Sequence, residues 1–258
     1  MAAELGDNEL EGNAMGQLGL VFLQLKLYTK AEETMRRQLQ LGRDRDLPRV
    51  AMTAHGNLGV LLQARGRHHE ALEELNSAVA IASVQLEDSE AEAQALTNMG
   101  VSLDALGDFE AAARNHEKRL VLAKEADDAE AIAIACGNLG CAQQGLGDNE
   151  AAMANHKKQL SFALSNDRPD LQAKALGNMG TVHEAQGNLE AAADCFEKQL
   201  TAAEAATDTL SIIAAQASMG LVYGKLGDTR RARHGLSAAI ELASANLLEA
   251  EEATLRGR

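Results

Sequence analysis

The 258-residue sequence carries 24 Lys and Arg against 38 Asp and Glu, a formal net charge of −14, and only 2% aromatic residues. This charge argues against a nucleic-acid-binding protein, which needs a basic surface to displace counterions from phosphates, and against binding to an anionic membrane. No apolar run reaches the roughly 18 residues of a membrane span, and the N-terminus lacks the features of a signal peptide. Three cysteines without a disulfide-framework spacing indicate a reducing compartment. We therefore expect a cytoplasmic protein without membrane insertion.

The chain is built from an internal repeat. A Leu-Gly or Met-Gly dipeptide recurs at intervals of 40, 41, 40, 40 and 40 residues, and its glycine is called the anchor glycine below. The anchors are Gly19, Gly59, Gly100, Gly140, Gly180 and Gly220. Twelve residues after each anchor stands an Ala, and seven residues after it stands a second Gly in every unit except the first, which has Lys26. These phased features predict six structurally equivalent units.

Each unit reads as a pair of helices, A and then B. Asp stands twelve residues before the anchor in four units, where it predicts the N-cap of helix A: Asp7, Asp88, Asp128 and Asp208. The second glycine predicts a left-handed stop at the end of helix A. Asp or Asn follows that glycine in four units and predicts the N-cap of helix B. The two prolines, Pro48 and Pro169, fall at first helical positions, where proline is tolerated.

These boundaries predict one array over residues 1–258. Its six repeats cover residues 7–46, 47–87, 88–127, 128–167, 168–207 and 208–248. Residues 249–258 are expected to form a C-terminal helical cap or the start of a truncated next repeat, and Glu249 to Glu252 could make that cap polar. Residues 1–6 resemble the end of a helix B.

The small pair in helix A, the glycine between the helices and the alanine in helix B resemble the tetratricopeptide repeat (TPR) family. The units are forty residues long rather than thirty-four and lack the family's terminal proline. Segments such as GNLGCAQQGLGDNEAAMANHKKQL look similar to the Pins/LGN group of G-protein-signalling modulators and to cytoskeletal TPR scaffolds. The resemblance implies an all-α fold, a right-handed α-solenoid of six helix-turn-helix repeats.

In this family helix A lines the concave face of the solenoid. Two residues before the anchor stands an amide in five units, and these are Gln17, Asn57, Asn98, Asn138 and Asn178. An amide carries a donor and an acceptor, so a ladder of them can hold the backbone of an extended peptide. The alternative is that these amides connect neighbouring helices.

Another glycine, called the non-anchor glycine below, lies three residues before the anchor in four repeats, at Gly16, Gly56, Gly137 and Gly177. Each glycine inside a helix costs about 1 kcal/mol relative to alanine. We interpret these glycines as making room for a ligand backbone or an adjacent helix. Side-chain selectivity is assigned to the residues near the end of helix A, Gln63, Asp104, Gln144 and Glu184. The family's carboxylate clamp for chaperone tails is absent, because its basic position holds Gly, Thr or Ala here.

No sequence pattern indicates catalysis, a cofactor or a metal site. His116 and His156 occupy one phase of helix B and are expected in the core, and Cys136 and Cys141, five residues apart, do not share a helix face and read as buried small residues. We therefore expect a non-enzymatic scaffold that binds an extended or helical segment of a protein or peptide partner, either as a monomer or with weak self-association. The alternative is a regulatory or recruitment fragment of a larger signalling or enzymatic TPR protein.

Overall fold

The computed structural model of the protein describes the backbone of residues 2–256 and the side chains of residues 7–247. Within that range the regular elements are twelve α-helices and one π-helical segment, without a strand. Contacts between Cα atoms divide the chain into an N-terminal unit, Met1–Asp127, and a C-terminal unit, Asp128–Arg258. This division coincides with the predicted boundary between the third and fourth repeats.

Each unit contains three helix pairs. The N-terminal unit has α1 (Ala2–Gln24), α2 (Tyr28–Asp44), α3 (Pro48–Ala64), α4 (His68–Ala80), a π-helical segment (Ile81–Leu86), α5 (Ser89–Leu106) and α6 (Phe109–Glu125). The C-terminal unit has α7 (Ala129–Gly145), α8 (Asn149–Ser165), α9 (Pro169–Ala185), α10 (Leu189–Ala205), α11 (Thr209–Lys225) and α12 (Thr229–Arg256). Odd-numbered helices are the predicted A helices and even-numbered helices the B helices. The predicted all-α class of helix-turn-helix repeats is confirmed.

The turns form as their sequence requires. The glycine seven residues after the anchor adopts a positive φ between 71° and 82° in the second to sixth repeats. In the first repeat Lys26 holds this position with φ 57°. The side chains of Asp88, Asp128 and Asp208 accept hydrogen bonds from backbone N–H groups of the first helical turn, as an N-cap does. Asp148 does the same for α8 at 3.0 Å.

Two expected helix ends do not exist. Asp7 does not cap α1, because α1 begins at Ala2 and continues through residue 7. Residues 2–5 are Ala, Ala, Glu and Leu, which are strong helix formers, and the helix extends across the expected boundary despite Gly6. At the other end α12 passes residue 248 and runs to Arg256 as one helix. The side chains of Glu249 to Glu252, the expected polar cap, lie outside the described residues.

The single 41-residue interval has a structural counterpart. After α4 the chain forms π-helical turns over Ile81–Leu86. The left-handed residue that ends helix B lies 27 residues after the anchor at Asp46, Asp127, Asp167 and Thr207, but 28 residues after it at Glu87. A π turn holds one more residue than an α turn. The extra residue of the second repeat is therefore absorbed here, and the following helix keeps its phase.

The anchor glycine and the alanine twelve residues later explain how helices A and B pack. A Cβ on Gly59 would lie 2.5 Å from Leu75 Cγ, and one on Gly180 would lie 2.5 Å from Phe196 Cε1. The alanine twelve residues after the anchor is fully buried in the first five repeats, and in the sixth repeat Ala232 is 8% exposed. Small residues at these positions let the two helix axes approach closely, which compensates for the scarcity of large rings in the core.

The A helices also contact one another. Within the N-terminal unit α3 touches both α1 and α5, and within the C-terminal unit α9 touches both α7 and α11. The surface formed by the A helices is called the inner face of each unit below. It is the surface on which the predicted amide ladder was placed.

Candidate functional site

The inner face of the N-terminal unit holds a groove of about 350 Å³ between α3 and α5. Asn57 and Asn98 both line it, together with Gly56 and Val60 from α3 and Ala78 from α4. The groove is open above Gly56, where an added Cβ would meet no atom within 4 Å. Two of the four predicted asparagines therefore share one cleft in this unit.

The inner face of the C-terminal unit holds a groove of about 320 Å³. Asn138 from α7 and Asn178 from α9 line it, and Ser218 occupies the same repeat position in α11. Two glutamines of B helices, Gln159 and Gln199, reach this groove as well. The groove is therefore lined by polar side chains from all three A helices of this unit and by an amide from two of its B helices.

The asparagines differ in what they already bond. Asn178 Nδ2 donates to Cys141 Sγ at 3.3 Å, which connects α9 to α7. Asn57 Nδ2 is buried and has no hydrogen-bond partner among the described residues. The bond of Asn178 fits the alternative in which the amides connect helices, and the unbonded Nδ2 of Asn57 is buried beside Gly16 of α1.

Two of the residues predicted to give selectivity connect neighbouring A helices. Gln63 Nε2 donates to the carbonyl oxygen of Asn98 at 2.5 Å and to Ser102 Oγ at 2.8 Å, from α3 to α5. Gln144 Nε2 lies 3.1 Å from Thr181 Oγ1, from α7 to α9. These contacts fit a structural role for both glutamines, and their role in ligand selectivity stays a prediction.

The remaining predicted residues lie in different surroundings. Glu184 pairs with Lys225 Nζ at 2.7 Å, an ion pair between α9 and α11. Asp104 Oδ2 lies 3.5 Å from His116 Nε2 within the third repeat, and its Oδ1 is buried without a partner among the described residues. Gln17 is exposed on α1. None of these three is among the residues that line the two described grooves.

At three of the four non-anchor glycines the adjacent helix, the second of the two expected occupants, fills the space. At Gly137 an added Cβ would lie 2.5 Å from the amide of Gln159, and at Gly177 it would lie 2.7 Å from the amide of Gln199. Gly16 faces the amide of Gln38 in the same way, at 2.8 Å. The space that these glycines leave is occupied by a glutamine of the same repeat, because helix B places a long side chain directly over helix A. Only at Gly56 is the space open to a ligand.

The sequence contains a signal for these glutamines that the repeat pattern above does not include. In three repeats a glutamine stands 22 residues after the non-anchor glycine, and these pairs are Gly16 with Gln38, Gly137 with Gln159 and Gly177 with Gln199. The second repeat has Gly56 with Ala78, and the sixth repeat has Ala217 with Ala239. A large amide thus occurs only where helix A has a glycine beneath it.

The groove of the C-terminal unit is nearly uncharged. Among the described residues that line it, Lys174 carries the single formal charge. Asp208 lies near this lysine: a hydrogen bond from Ser211 is the main cause that lowers the pKa of the Asp208 carboxyl, and the charge of Lys174 adds to it. In a chain of net charge −14, this cleft is a polar strip with one positive charge among its described lining residues.

The histidines predicted in the core lie there. His116 and His156 are 1% and 0% exposed, and their rings occupy the space over the anchors Gly100 and Gly140. Burial lowers the pKa of His156 to about 4. Of the two cysteines expected to be buried, Cys136 is buried but Cys141 is exposed, because it follows the anchor on the inner face of α7.

A family model described as tetratricopeptide repeat matches residues 49–125 and 171–245, more than half of the chain. The chain therefore belongs to the tetratricopeptide repeat family. A comparison with curated proteins finds no match. In the described part of the chain, no helix has both the length and the hydropathy needed to cross a membrane.

Solved structures share the fold at low sequence identity. BtubC (BKLC) from P. vanneervenii is 18% identical, with a TM-score of 0.71 over 84% of this chain and 91% of that chain. The STAND signal-transduction ATPase PH0952 from Pyrococcus horikoshii, which has a tetratricopeptide repeat sensor, is 18% identical with a TM-score of 0.76. That match covers 96% of this chain but 39% of PH0952. NprR, a quorum sensor from B. thuringiensis, was solved with its cognate peptide NprX. It is 18% identical, with a TM-score of 0.69 over 90% of this chain and 67% of that chain.

Proposed function

We propose that this protein is a non-enzymatic scaffold that binds an extended peptide segment of a partner in its inner-face grooves. One observation carries the proposal: in each unit, asparagines from two successive A helices line the same groove. A partner held in this way is recognised mainly through its backbone, because an amide both donates and accepts hydrogen bonds.

The charge of the protein supports a peptide rather than a nucleic acid as the ligand. A net charge of −14 opposes phosphate binding, and the groove of the C-terminal unit has Lys174 as its single charge among the described lining residues. NprR, which shares the fold, binds its peptide NprX, and this likeness supports the same ligand class here. The proposal includes a cytoplasmic location and a monomeric or weakly self-associating chain.

A second candidate is a sensor or recruitment module of a larger signalling protein. It is favoured by PH0952, in which the part that resembles this chain accompanies an ATPase. The similarity of several units to the Pins/LGN group and to cytoskeletal scaffolds fits a signalling partner. In this second candidate the groove would still hold a peptide, and the chemistry would belong to another part of the assembly.

The test uses the full chain and a phage-displayed library of random 12-residue peptides. A selected peptide is synthesised with a fluorophore, and its affinity is measured by fluorescence anisotropy. Replacing both Asn138 and Asn178 with Ala should weaken binding about 10- to 30-fold, since each lost hydrogen bond contributes about 1 kcal/mol. Asn76→Ala is the matched control and should leave the affinity unchanged, because Asn76 is exposed on α4 and lines neither described groove.

Two outcomes would contradict the proposal. If the double variant binds as tightly as the parent chain while its helical circular dichroism is retained, the inner face is not the binding surface. If selection yields no peptide that binds the soluble full chain, the protein is not a general binder of extended peptides.

A further inference from the structure

The amides of Gln159 and Gln199 are unusual within this fold. Both side chains belong to B helices, are only 4% and 8% exposed, and nevertheless line the inner-face groove of the C-terminal unit. The Oε1 atom of each is buried without a hydrogen-bond partner among the described residues. A buried acceptor without a donor costs free energy, and Gln38 at the equivalent position of the first repeat also has an unbonded amide, so a native structure that keeps such acceptors in three repeats invites a functional explanation.

The fold creates the space for these amides at a cost. Gly137 and Gly177 lie beneath them, and any larger residue would place its Cβ within 2.5 to 2.7 Å of the amide atoms. Glycine inside a helix is itself destabilising relative to alanine. The fourth and fifth repeats thus each combine two unfavourable features, a helical glycine and an unbonded acceptor, where an amide lies at the groove.

Other repeats of the same chain show that packing does not require this pair. The sixth repeat replaces it with Ala217 and Ala239, and the second with Gly56 and Ala78. In both repeats the A and B helices still pack against each other, as α11 against α12 and as α3 against α4. The glutamines are therefore not needed to form the helix pair.

We propose that Gln159 and Gln199 form a second amide row that accepts hydrogen bonds from main-chain N–H groups of a bound peptide. This inference rests on the proposed function and specifies its ligand as an extended segment lying across α7, α9 and α11. The segment contacts the two glutamines at the floor of the groove while Asn138 and Asn178 contact it from the A helices. Main-chain N–H groups are the chemistry that complements the two buried Oε1 acceptors, which have no donor among the described residues.

The dimensions of the groove set the spacing of these contacts. Packed helices lie about 8 to 10 Å apart, and an extended chain advances about 3.3 Å per residue. The two recognised N–H groups should therefore stand about two to four residues apart in the peptide. The residues between them should have small or uncharged side chains, with room for one acidic group near Lys174.

The experiment removes the donors one at a time. A 12-residue peptide selected on the full chain from a phage-displayed library is resynthesised with N-methylation at each backbone nitrogen in turn, and affinities are measured by fluorescence anisotropy. Two methylations, two to four residues apart, should each weaken binding to the parent chain about 5- to 20-fold. In the Gln159→Ala variant, one of these two methylations should weaken binding less than about twofold. In the Gln199→Ala variant, the other methylation should lose its effect to the same extent.

Two further variants separate binding from folding. Gly137→Ala combined with Gln159→Ala reproduces the alanine pair of the sixth repeat, so it should fold and show the same loss of one methylation effect. Gln186→Ala, an exposed glutamine at the end of α9, should leave every methylation effect unchanged. A purely structural role for the glutamines predicts a lower Tm of the variants with the methylation pattern of the parent chain preserved, and that result would overturn the inference.

The outcomes also distinguish this inference from the proposed function. If Asn138→Ala weakens peptide binding but neither glutamine variant alters the methylation pattern, the proposed function holds. The inference that Gln159 and Gln199 accept hydrogen bonds from the peptide is then wrong. If no peptide binds the full chain, both fail together.

Discussion

Acid should destabilise the C-terminal unit through His156. The ring of His156 is fully buried over Gly140, and neither ring nitrogen has a hydrogen-bond partner among the described residues. Burial disfavours the charged imidazolium and lowers the pKa from its ordinary 6.5 to about 4 in the folded chain. The unfolded chain binds the proton near pH 6.5, so folding stability falls as the pH drops from about 6.5 to about 4 and then stays constant.

The magnitude follows from this difference in proton binding. At pH 5.0 the residue is about 97% protonated in the unfolded chain and about 9% protonated in the folded chain. The resulting loss of stability relative to pH 7.5 is about 2 kcal/mol. Replacing His156 with Leu should remove this loss, and a leucine fits because Leu75 occupies the same position over Gly59 in the second repeat.

The assay is urea unfolding at pH 7.5 and pH 5.0, followed by circular dichroism. Other acid-sensitive groups affect the parent chain and the variant equally, so the informative quantity is the difference between their two pH dependences. His69→Gln, at an exposed position, is the control and should behave like the parent chain. If His156→Leu loses as much stability between the two pH values as the parent chain, the buried imidazole is not the cause.

Three further predictions concern stability. Asp148→Ala should cost about 1 kcal/mol of unfolding free energy in urea, whereas Asn188→Ala should cost little, because Asp148 makes a cap bond and Asn188 makes none in the structure. Gly56→Ala should raise the unfolding free energy by about 1 kcal/mol, since the added Cβ meets open space; a decrease would show that the groove is filled. Deleting Val84 should restore the forty-residue spacing and change the Tm by less than about 3 °C, while deleting Leu164 from the regular α8 should lower the Tm by more than about 5 °C in a calorimetric scan. Equal effects of the two deletions would contradict the role of the π segment.

The features that the sequence predicted well are those that depend on the local backbone. A left-handed turn favours glycine, and an aspartate before a helix accepts bonds from the N–H groups of its first turn, so Gly107 and Asp108 mark a helix boundary in any context. The anchor glycine and the buried alanine could be predicted because their spacing repeats with the helix pairs. Asp7 shows the limit of this reasoning, since the helix-forming residues before it extended α1 past the expected cap.

The surroundings of the groove residues could not be predicted from the sequence, because they depend on how two helices pack against each other. Periodicity assigned Gly137 to the inner face of α7, but only the packing of α8 against α7 showed that Gln159 fills the space above it. Likewise, Gln144 was predicted to contact a ligand, and only the packing of α9 beside α7 shows that its amide also lies against Thr181 of the next A helix. These contacts join residues more than twenty positions apart, and the sequence pattern does not tell which of several long side chains reaches across.

The sequence alone thus determined the repeat, its family, the helix boundaries at the turns and the faces on which the small residues lie. Each of these follows from backbone geometry or from a period of about forty residues. The tertiary structure decided which polar groups are already bonded and which remain open, because that depends on distances between side chains of different helices. The two unbonded glutamine acceptors in the groove of the C-terminal unit became visible only at that level.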